Sequence, residues 1–526
     1  MNRQRLLVGR PLHRERYTFG ITDATRNRFL RSGIGHAAIF CSLSLLLPSL
    51  RGQTFKPASY QANSMTAGIQ EAMDAAGKAG GGTVQIPPGT FILHAAAGHP
   101  AILLRSHVTL AGAGSANTIL KLEPNAKLYP AVIANENYAN PDAAEPDHDI
   151  ALQSFTIDAT ASEQVVRETK LTRAIPVAGD QEIALESVEG VAHGSLLRID
   201  PGPNEEFVPL LKATSGGYHA LVLRPHAAGA KVVHLVDRLH GLALIGAHNV
   251  TLQNVAIRNA TMDGVYLSST ADGTPHHTYC QKINIQKSNF ISCHRNGISV
   301  IDADDVTIAN NEFRDITGDP GSPVDIEPNH PDQHGSRIAI RDNQTWKCYR
   351  GISVVLQLAG PTSENFRGES ITGNSIQGTM FGWGILVLAQ QAGATISGNT
   401  IEGPAAEGIL LVGSSHVQVT NNVITDPGRC HTPGNCGRPA SGVGIRVVDR
   451  KDGPLVQYSN ENVVAGNTIK DTQQSPSLVY GVDFASEGKG NTIEKNMVSR
   501  FEPTRGMVVH VSGMADSNKI SGNSKQ

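Results

Sequence analysis

Short runs of alternating apolar and polar residues recur along the chain from about residue 248 onward. Each run opens on a glycine, and every second residue after it points an apolar side chain to one face. Period-two strands that repeat every 20–30 residues or so are typical of a β-solenoid, in which each coil pairs with the coils above and below it. The runs lie at residues 264–267, 297–300, 351–354, 384–387, 408–411, 444–447 and 481–484.

An asparagine recurs with these strands, inside the phrase Ile or Val, two residues, Asn, one residue, apolar residue. Asparagine tolerates the left-handed backbone of a turn, and its amide can bond the amide of the next coil, so the phrase predicts an asparagine ladder. The phrase lacks the leucine spacing of leucine-rich repeats, and two Trp are too few for a propeller. We therefore predict an all-β parallel β-helix. Its ladder positions are Asn311, Asn343, Asn374, Asn399, Asn422, Asn467, Asn496 and Asn523.

Two regions depart from this pattern. Residues 68–91 read as a short amphipathic helix, a glycine break, a strand and a Pro-Gly turn. Residues 161–236 lack the asparagine phrase and alternate like antiparallel strands joined by polar turns. We expect this second region to be a small β subdomain inserted between early coils.

Two stretches carry a resemblance to a known family. Residues 68–91 resemble the opening of pectate-lyase-superfamily proteins, and residues 296–313 with 324–329 resemble segments of secreted bacterial right-handed parallel β-helix repeat proteins. The resemblance implies a right-handed parallel β-helix whose first coil is capped by the helix, but it does not specify a reaction. The polygalacturonase signature and the metal-ligand set of pectate lyases are absent, so no catalytic residue is carried over.

The predicted organisation has four parts. Residues 1–52 form a signal peptide with its basic leader, and residues 53–160 form the N-terminal cap and first coils. Residues 161–236 form the inserted subdomain, and residues 237–526 form the main β-helix.

The basic leader dominates the charge distribution of the chain. Nine Arg against Glu15 and Asp23 lie in residues 1–52, which leaves 35 basic and 45 acidic residues in the rest, a charge near -10. An acidic body repels phosphate backbones and anionic membrane surfaces. These charges, with 17% charged and 5% aromatic residues overall, argue against nucleic-acid binding.

The apolar run of residues 37–50 follows basic residues and ends in polar sequence. A run of this length reads as a secretory signal peptide, because a membrane span needs about 20 apolar residues. We predict cleavage around residues 49–54, a secreted protein in the periplasm or outside the cell, and no membrane association after cleavage. The alternative is a membrane anchor.

Cysteine usage agrees with export. Cys430 and Cys436 bracket a short Pro/Gly loop that could close as a disulfide in an oxidising compartment. Cys280, Cys293 and Cys348 remain, so at most one further bridge could form.

The outward-facing column of the strands brings carboxyl groups together. Aligned on the strand glycines, Asp325 and Glu327 lie on one face of one coil, with Asp302 diagonally beside them on the preceding coil. Two nearby carboxyls can hydrolyse a glycosidic bond, one as acid and the other as nucleophile or base. The i, i+2 spacing of about 6.6 Å leans toward inversion. We predict these three residues as catalytic, the alternative being an ordinary solvated face.

Polar and aromatic residues around this cluster suit sugar contacts. The predicted substrate-binding residues are Tyr266, Ser299, Asn329, His330 and Arg446. We expect that no cofactor is required. Ca²⁺ is possible through Asp302, Asp304 and Asp305, although their spacing fits no calcium-loop motif.

Three functions compete. The first is a secreted polysaccharide hydrolase that uses Asp325 and Glu327, which the carboxyl cluster favours. The second is a polysaccharide lyase or uronate C5-epimerase, with Tyr266, Arg295, His330 and Arg350 as candidates. The third is a non-catalytic glycan-binding scaffold. An oligomer is possible in each case.

Overall fold

The structure is a computed structural model that describes residues 52–139, 145–214, 217–236, 238–270, 278–356, 365–429, 442–501 and 506–526. Two predictions, the signal peptide and the Cys430–Cys436 disulfide, therefore lie outside the described residues, apart from Gly52. No helix within the described ranges is long and apolar enough to cross a membrane.

Each coil contributes three short strands to three long parallel sheets, named A, B and C in the order in which the chain visits them. Sheet A contains Thr54–Phe55, Gly82–Gln85, Val108–Ala111, His148–Gln153, His248–Gln253, Cys280–Gln286, Ala303–Ala309, Ala339–Arg341, Glu369–Thr372, Ala394–Ser397, Gln418–Thr420, Val463–Ala465, Thr492–Glu494 and Lys519–Ser521. Sheet B contains Gly89–Leu93, Thr118–Leu122, Thr156–Asp158, Ala256–Arg258, Asn289–Ile291, Glu312–Arg314, Gln344–Trp346, Ser375–Gln377, Thr400–Glu402, Val423–Thr425, Thr468–Lys470, Met497–Ser499 and Ser524–Lys525. Sheet C contains Ile102–Leu104, Ala131–Asn135, His240–Ile245, Val265–Ser268, Ile298–Val300, Val324–Ile326, Ile352–Val355, Ile385–Leu388, Ile409–Val412, Gly442–Val448, Leu478–Ala485 and Met507–Val511.

The core runs along the axis of this solenoid. Side chains with the inward parity are fully buried, as for Ile298, Val324 and Ile385 at one register position of sheet C. Period two places one residue per coil at each such position, so β-branched side chains stack into continuous apolar rows. The predicted parallel β-helix is confirmed.

The predicted asparagine ladder forms at the turn between sheets A and B. Asn399 Oδ1 accepts from the Asn374 backbone N–H and Nδ2, both at 3.0 Å, and Asn399 Nδ2 donates to Asn422 Oδ1 at 2.9 Å. Its Nδ2 also donates to the Ile371 carbonyl at 2.8 Å. The same pattern connects all eight predicted asparagines, each to the next.

The N-terminal end carries helix α1, Ile69–Lys78. Its apolar side chains Ile69, Ala72, Met73 and Ala76 are fully buried against the first coils, so the predicted capping helix is present. Four 3₁₀ turns lie at Pro57–Tyr60, Glu136–Ala139, Ala161–Glu163 and Ala515–Ser517.

An antiparallel β subdomain interrupts the third coil between its sheet B and sheet C strands, as predicted. Its two sheets contain Val165–Lys170, Lys231–Leu235, Leu196–Ile199 and Glu206–Pro209, and Gly179–Ile183, Gly217–Val222 and Lys212–Thr214. The Val236 N–H donates to the Gln164 carbonyl at 2.9 Å, so the chain enters and leaves the subdomain at adjacent points. A separate antiparallel hairpin is formed by Arg450–Asp452 and Leu455–Gln457.

The described cysteines lie inside the solenoid as free thiols. Cys280, Cys293 and Cys348 are buried and unbridged, so the second bridge allowed by the sequence does not form among them. Burial raises the pKa of each thiol to about 12, which keeps the sulfur protonated and unreactive.

Candidate functional site

The outer face of sheet C carries the predicted column of side chains. Tyr266, Ser299, Asp325 and Ser353 are successive partners in the parallel ladder. Glu327 follows two residues after Asp325, and its N–H still donates to the Val300 carbonyl of the preceding coil at 3.0 Å. The register derived from the strand glycines is therefore confirmed.

Arg295 lies at the centre of this site. It belongs to the turn that leads from sheet B into the Ile298–Val300 strand. Its Nη1 donates to Asp263 Oδ2 at 3.1 Å and to Ser299 Oγ at 3.2 Å, and its Nη2 lies 3.4 Å from Glu327 Oε2. One guanidinium thus joins side chains from three successive coils, namely a carboxyl group from each neighbouring coil and a hydroxyl from its own.

Asn296 holds the buried side of the site in place. Its Nδ2 donates to Ser299 Oγ at 3.0 Å and to Asp325 Oδ2 at 3.2 Å, and its backbone N–H donates to Asp263 Oδ1 at 2.9 Å. Its Oδ1 accepts the Ser322 N–H at 3.0 Å. Asn296 therefore contacts both buried carboxyls, Asp325 through its side-chain amide and Asp263 through its backbone N–H.

The site has a buried layer and an accessible layer. Asp263 is fully buried and Asp325 is 1% exposed. The side chains of Arg295 and Glu327 are 21% and 25% exposed, and Tyr266 is partly exposed. Only the second group can contact a substrate in this structure, which removes Asp325 from the direct acid or base role predicted for it.

The two buried carboxyls are in opposite electrostatic states. Burial alone would raise the pKa of Asp263, but the adjacent Arg295 charge and His240 lower it, so Asp263 is ionised. Burial, followed by the charge of Glu327, raises the pKa of Asp325 well above its ordinary range. Asp325 Oδ1 is buried without a hydrogen-bond partner among the described groups.

His240 and Tyr266 extend the site toward the N-terminal coils. Their rings stack with centroids 4.6 Å apart and planes 20° from parallel. His240 Nδ1 lies 3.3 Å from Asp263 Oδ2. The stacking contact holds the Tyr266 ring on the coil that precedes Arg295. The pKa of Arg295 rises because the charges of Asp263 and Glu327 outweigh its desolvation.

Sequence reasoning missed Asp263, Asn296 and His240. A signal for two of them was present, because Asp263 and Asn296 each directly precede the glycine that opens a sheet C strand. That position places a side chain at the mouth of the next strand in every coil.

Asp302 is the first predicted site residue that lies elsewhere. It lies in the bend between the Ile298–Val300 strand of sheet C and the Ala303–Ala309 strand of sheet A, so the alternation along the first strand does not reach it. Its buried Oδ1 accepts the His334 N–H at 2.8 Å and lies 3.0 Å from His334 Nδ1. The expected position diagonal to Asp325 and Glu327 is therefore wrong.

Arg446 also lies outside the cluster. It occupies the same column, but four strands beyond Asp325, or about 19 Å at about 4.8 Å per strand. There it donates to Glu407 Oε1 at 2.6 Å and to Asp483 Oδ2 at 2.9 Å, and His510 Nδ1 lies 2.8 Å from Asp483 Oδ1. Buried apolar side chains separate the two polar clusters, namely Leu386, Leu388, Leu410 and Val412.

Asn329 and His330 lie in the exposed loop after the Val324–Ile326 strand. Their backbone N–H groups donate to Gln333 Oε1 at 2.5 and 3.0 Å. Both side chains are exposed at the edge of the site, close in sequence to Glu327.

The acidic residues named for calcium face protein partners. Asp304 Oδ1 accepts the Ser336 N–H at 2.8 Å, and Asp305 Oδ1 accepts from Arg337 Nε at 2.6 Å. Asp302 faces His334 instead, so the three carboxyls do not converge on one point.

The inserted subdomain packs beside the site. Phe207 stacks on His294 with ring centroids 4.0 Å apart, and His294 directly precedes Arg295 in the chain. Burial lowers the pKa of His294 to about 3, so its ring stays neutral under the subdomain. The subdomain thus borders the edge of sheet C from which Arg295 and Asn296 emerge.

Comparison with known proteins places the chain in a family. The family described as "Right handed beta helix region" matches residues 230–378 and 363–526, more than half of the chain. The protein belongs to this right-handed β-helix family.

Two curated proteins of Azotobacter vinelandii match short segments. One segment is 53% identical over 57 residues to mannuronan C5-epimerase AlgE6, covering 10% of this chain and 6% of that protein. Another is 37% identical over 97 residues to alginate lyase 7, covering 18% of this chain and 10% of that protein. The matched segments thus span a tenth or less of either relative.

A solved structure matches the fold over most of the chain. The A-module of mannuronan C5-epimerase AlgE6 from Azotobacter vinelandii superposes with a TM-score of 0.56 at 17% identity. The match covers 90% of this chain and 99% of that module.

Proposed function

We propose that this protein is an enzyme that acts on a uronate-containing polysaccharide at the outer face of sheet C, by abstracting the C5 proton of a uronate. The observation that carries this proposal is the accessible layer of the site. Arg295 and Glu327 are partly exposed with Nη2 and Oε2 3.4 Å apart, and the partly exposed Tyr266 lies on the preceding coil, in register with Ser299, while Asp263 and Asp325 are buried.

Each accessible group has a role in such a reaction. The Arg295 guanidinium binds the uronate carboxylate and stabilises the negative charge that develops when C5 loses its proton. Glu327 takes that proton as general base. Tyr266 then gives a proton to the opposite face of C5, which inverts the centre, or to the departing C4 oxygen, which cleaves the chain and leaves a C4–C5 double bond.

The buried layer prepares these groups. Ionised Asp263 fixes Arg295 through Nη1 and leaves Nη2 directed toward the accessible side. Burial and the charge of Glu327 raise the pKa of Asp325, which favours a neutral Asp325 beside an ionised Glu327 and keeps the pair from carrying two full negative charges next to the substrate carboxylate. The segment similarity to a mannuronan C5-epimerase and an alginate lyase supports the same substrate class.

The test incubates purified protein with polymannuronate, polyguluronate and pectate, with and without a chelator. Ultraviolet absorbance of unsaturated uronates reports a lyase, and proton NMR of the product reports inversion at C5. Glu327→Gln and Tyr266→Phe each lower the rate by about 10²–10⁴, with an unchanged melting temperature. Glu402→Gln and Tyr458→Phe lie at exposed positions away from the polar cluster of sheet C around Arg295 and Glu327. These two control variants keep the wild-type rate.

Glycoside hydrolysis is the second candidate, with Glu327 as the accessible carboxyl and the buried Asp325 acting only through Glu327. It produces new reducing ends without unsaturated uronates, and Glu327→Gln abolishes them. A wider panel of neutral polysaccharides extends the assay to this case. Binding without any product across both panels, in folded protein, contradicts an enzymatic function and favours a glycan-binding scaffold.

The proposed location of the mature protein is outside the cytoplasm, because residues 1–52 have the sequence of an export signal. Mass spectrometry of protein recovered from the periplasm or medium of an expressing bacterium tests this. The expected mature N-terminus lies within residues 49–54, and full-length protein retained in the cell contradicts export.

A further inference from the structure

A group of side chains where the chain enters sheet A, in the coils next to the N-terminal cap, has the composition of a metal site. His107 lies in the turn that enters the Val108–Ala111 strand, and His148 and Asp149 open the next sheet A strand. Their ligand atoms all lie within 4.8 Å of one another. Among the described residues, no other group of three His, Cys, Asp or Glu side chains meets this condition.

The geometry is close to that of a bound ion. Asp149 Oδ2 lies 3.2 Å from His107 Nδ1 and 3.1 Å from His148 Nδ1. Tetrahedral Zn²⁺, held at about 2.0–2.1 Å by each ligand, separates its ligand atoms by about 3.3 Å. The imidazole rings meet edge to face with centroids 4.5 Å apart, so a small rotation of these exposed rings brings the two nitrogens into range.

The backbone and a neighbouring amide hold the ligands in this arrangement. The His107 N–H donates to the His148 carbonyl at 3.0 Å, and the His148 N–H donates to Ser106 Oγ at 3.1 Å. Asn249, from the following coil, donates its Nδ2 to Asp149 Oδ1. That hydrogen bond occupies Oδ1 and leaves Oδ2 facing the two rings. Carboxylates that bind metals are commonly oriented by such a hydrogen bond from a neighbouring side chain.

We propose that His107, His148 and Asp149 bind one Zn²⁺ ion. Three N/O ligands and an open position are the donor set that zinc accepts when its fourth ligand is water or another small molecule. The side chains are 45%, 37% and 41% exposed, so the fourth position faces solvent. Because the ligands come from two successive coils, the ion connects those coils beside the N-terminal cap.

The alternative is a plain His–carboxylate ion pair, and the structure provides a matched example. His416 Nδ1 lies 3.4 Å from Glu461 Oε2, both exposed, at the same edge of sheet A. His416 and His107 share a left-handed backbone, with φ of 58° and 63°. His416 lacks a second histidine in its group, so His416→Asn controls for His107→Asn in charge, exposure and backbone.

Isothermal titration of Zn²⁺ into tag-free, chelator-treated full-length protein at pH 7.5 tests the site. We expect one ion per chain and a higher melting temperature with zinc. His107→Asn, His148→Gln and Asp149→Asn each weaken zinc binding at least about tenfold and reduce the zinc-dependent rise in melting temperature. His416→Asn binds like wild type, and Mg²⁺ does not compete.

Circular dichroism without zinc checks that each variant is folded. Wild-type protein without a stoichiometric site overturns the proposal. Folded variants that bind zinc as wild type does overturn it equally. Neither readout depends on the proposed reaction at sheet C.

Discussion

At the residue scale, an unpaired buried carboxyl sets a pH dependence of stability. Glu369 opens a sheet A strand, and its Oε2 accepts from Gln390 Nε2 at 2.7 Å while Oε1 has no partner among the described groups. Burial raises the pKa of Glu369 from 4.5 to about 8. The native state therefore holds a proton that the unfolded chain has already released.

The sign of the effect follows from that difference. The contribution of Glu369 to the free energy of unfolding is greatest below pH 4.5 and is lost as the pH rises through about 8. Glu369→Gln removes this decline, so the variant gains on wild type by up to a few kcal/mol at high pH. Urea unfolding from pH 4 to pH 9 measures the difference in unfolding free energy between the variant and wild type. Glu402→Gln, at an exposed sheet B position, keeps the wild-type slope, and a flat wild-type profile contradicts the argument.

Two aspartates of one column give opposite predictions. Asp325 has a raised pKa and pays desolvation when it ionises, so Asp325→Asn raises the melting temperature at pH 8, and the gain shrinks toward pH 4. Asp483 accepts from Arg446 and contacts His510, so Asp483→Asn lowers stability by about 1–3 kcal/mol. Thermal unfolding of both variants at the two pH values distinguishes them. Equal signs would contradict the assigned environments.

The same residues show what a sequence can and cannot predict about the site. The column that joins Tyr266, Ser299 and Asp325 follows from period two and the strand glycines, and it is correct. The burial of Asp325 depends on Arg295 and Asn296, which reach it from a turn. Turn side chains follow no period, so the division into buried and accessible groups was not predictable.

At the element scale, the asparagine ladder was fully predictable, because its spacing reflects the length of each coil. Asn399 in its middle makes bonds to both neighbouring coils, whereas Asn523 bonds to the preceding coil and is half-exposed. Loss of a buried amide leaves its partners unsatisfied.

Alanine at these two positions therefore has unequal effects. Asn399→Ala lowers the free energy of unfolding by about 3–5 kcal/mol, and Asn523→Ala by about 1 kcal/mol. Denaturant unfolding with a common m-value measures both. Equal losses would mean that the ladder is stabilised by backbone pairing rather than by its amides.

At the scale of the whole molecule, we expect the inserted subdomain to be separable from the solenoid. It has its own apolar cluster, which includes Leu197, Val208 and Val232, and Gln164 pairs with Val236 where the chain enters and leaves. The sequence predicted an insertion here but not its contact with His294, which joins segments far apart in the chain.

Replacing residues 165–235 with Asn-Gly tests this separation, because a two-residue hairpin turn closes such a pair. We expect a cooperatively folding β-helix whose affinity for the proposed polysaccharide substrate falls about tenfold, or about 1.4 kcal/mol. Phe207→Ala, which removes only the ring contact with His294, serves as the milder comparison. An unfolded deletion variant would show that the subdomain is part of the solenoid's stability.

The one-residue-per-coil register of sheet C also bears on how such proteins diversify. Each coil pairs only with its immediate neighbours, so duplication of a coil adds a rung to the outer face and lengthens it by about 4.8 Å. The side chains already in place keep their own partners. Gene duplication within the repeat thus lengthens the outer face while leaving the candidate site untouched, so the length of that face and the side chains of the site can evolve independently.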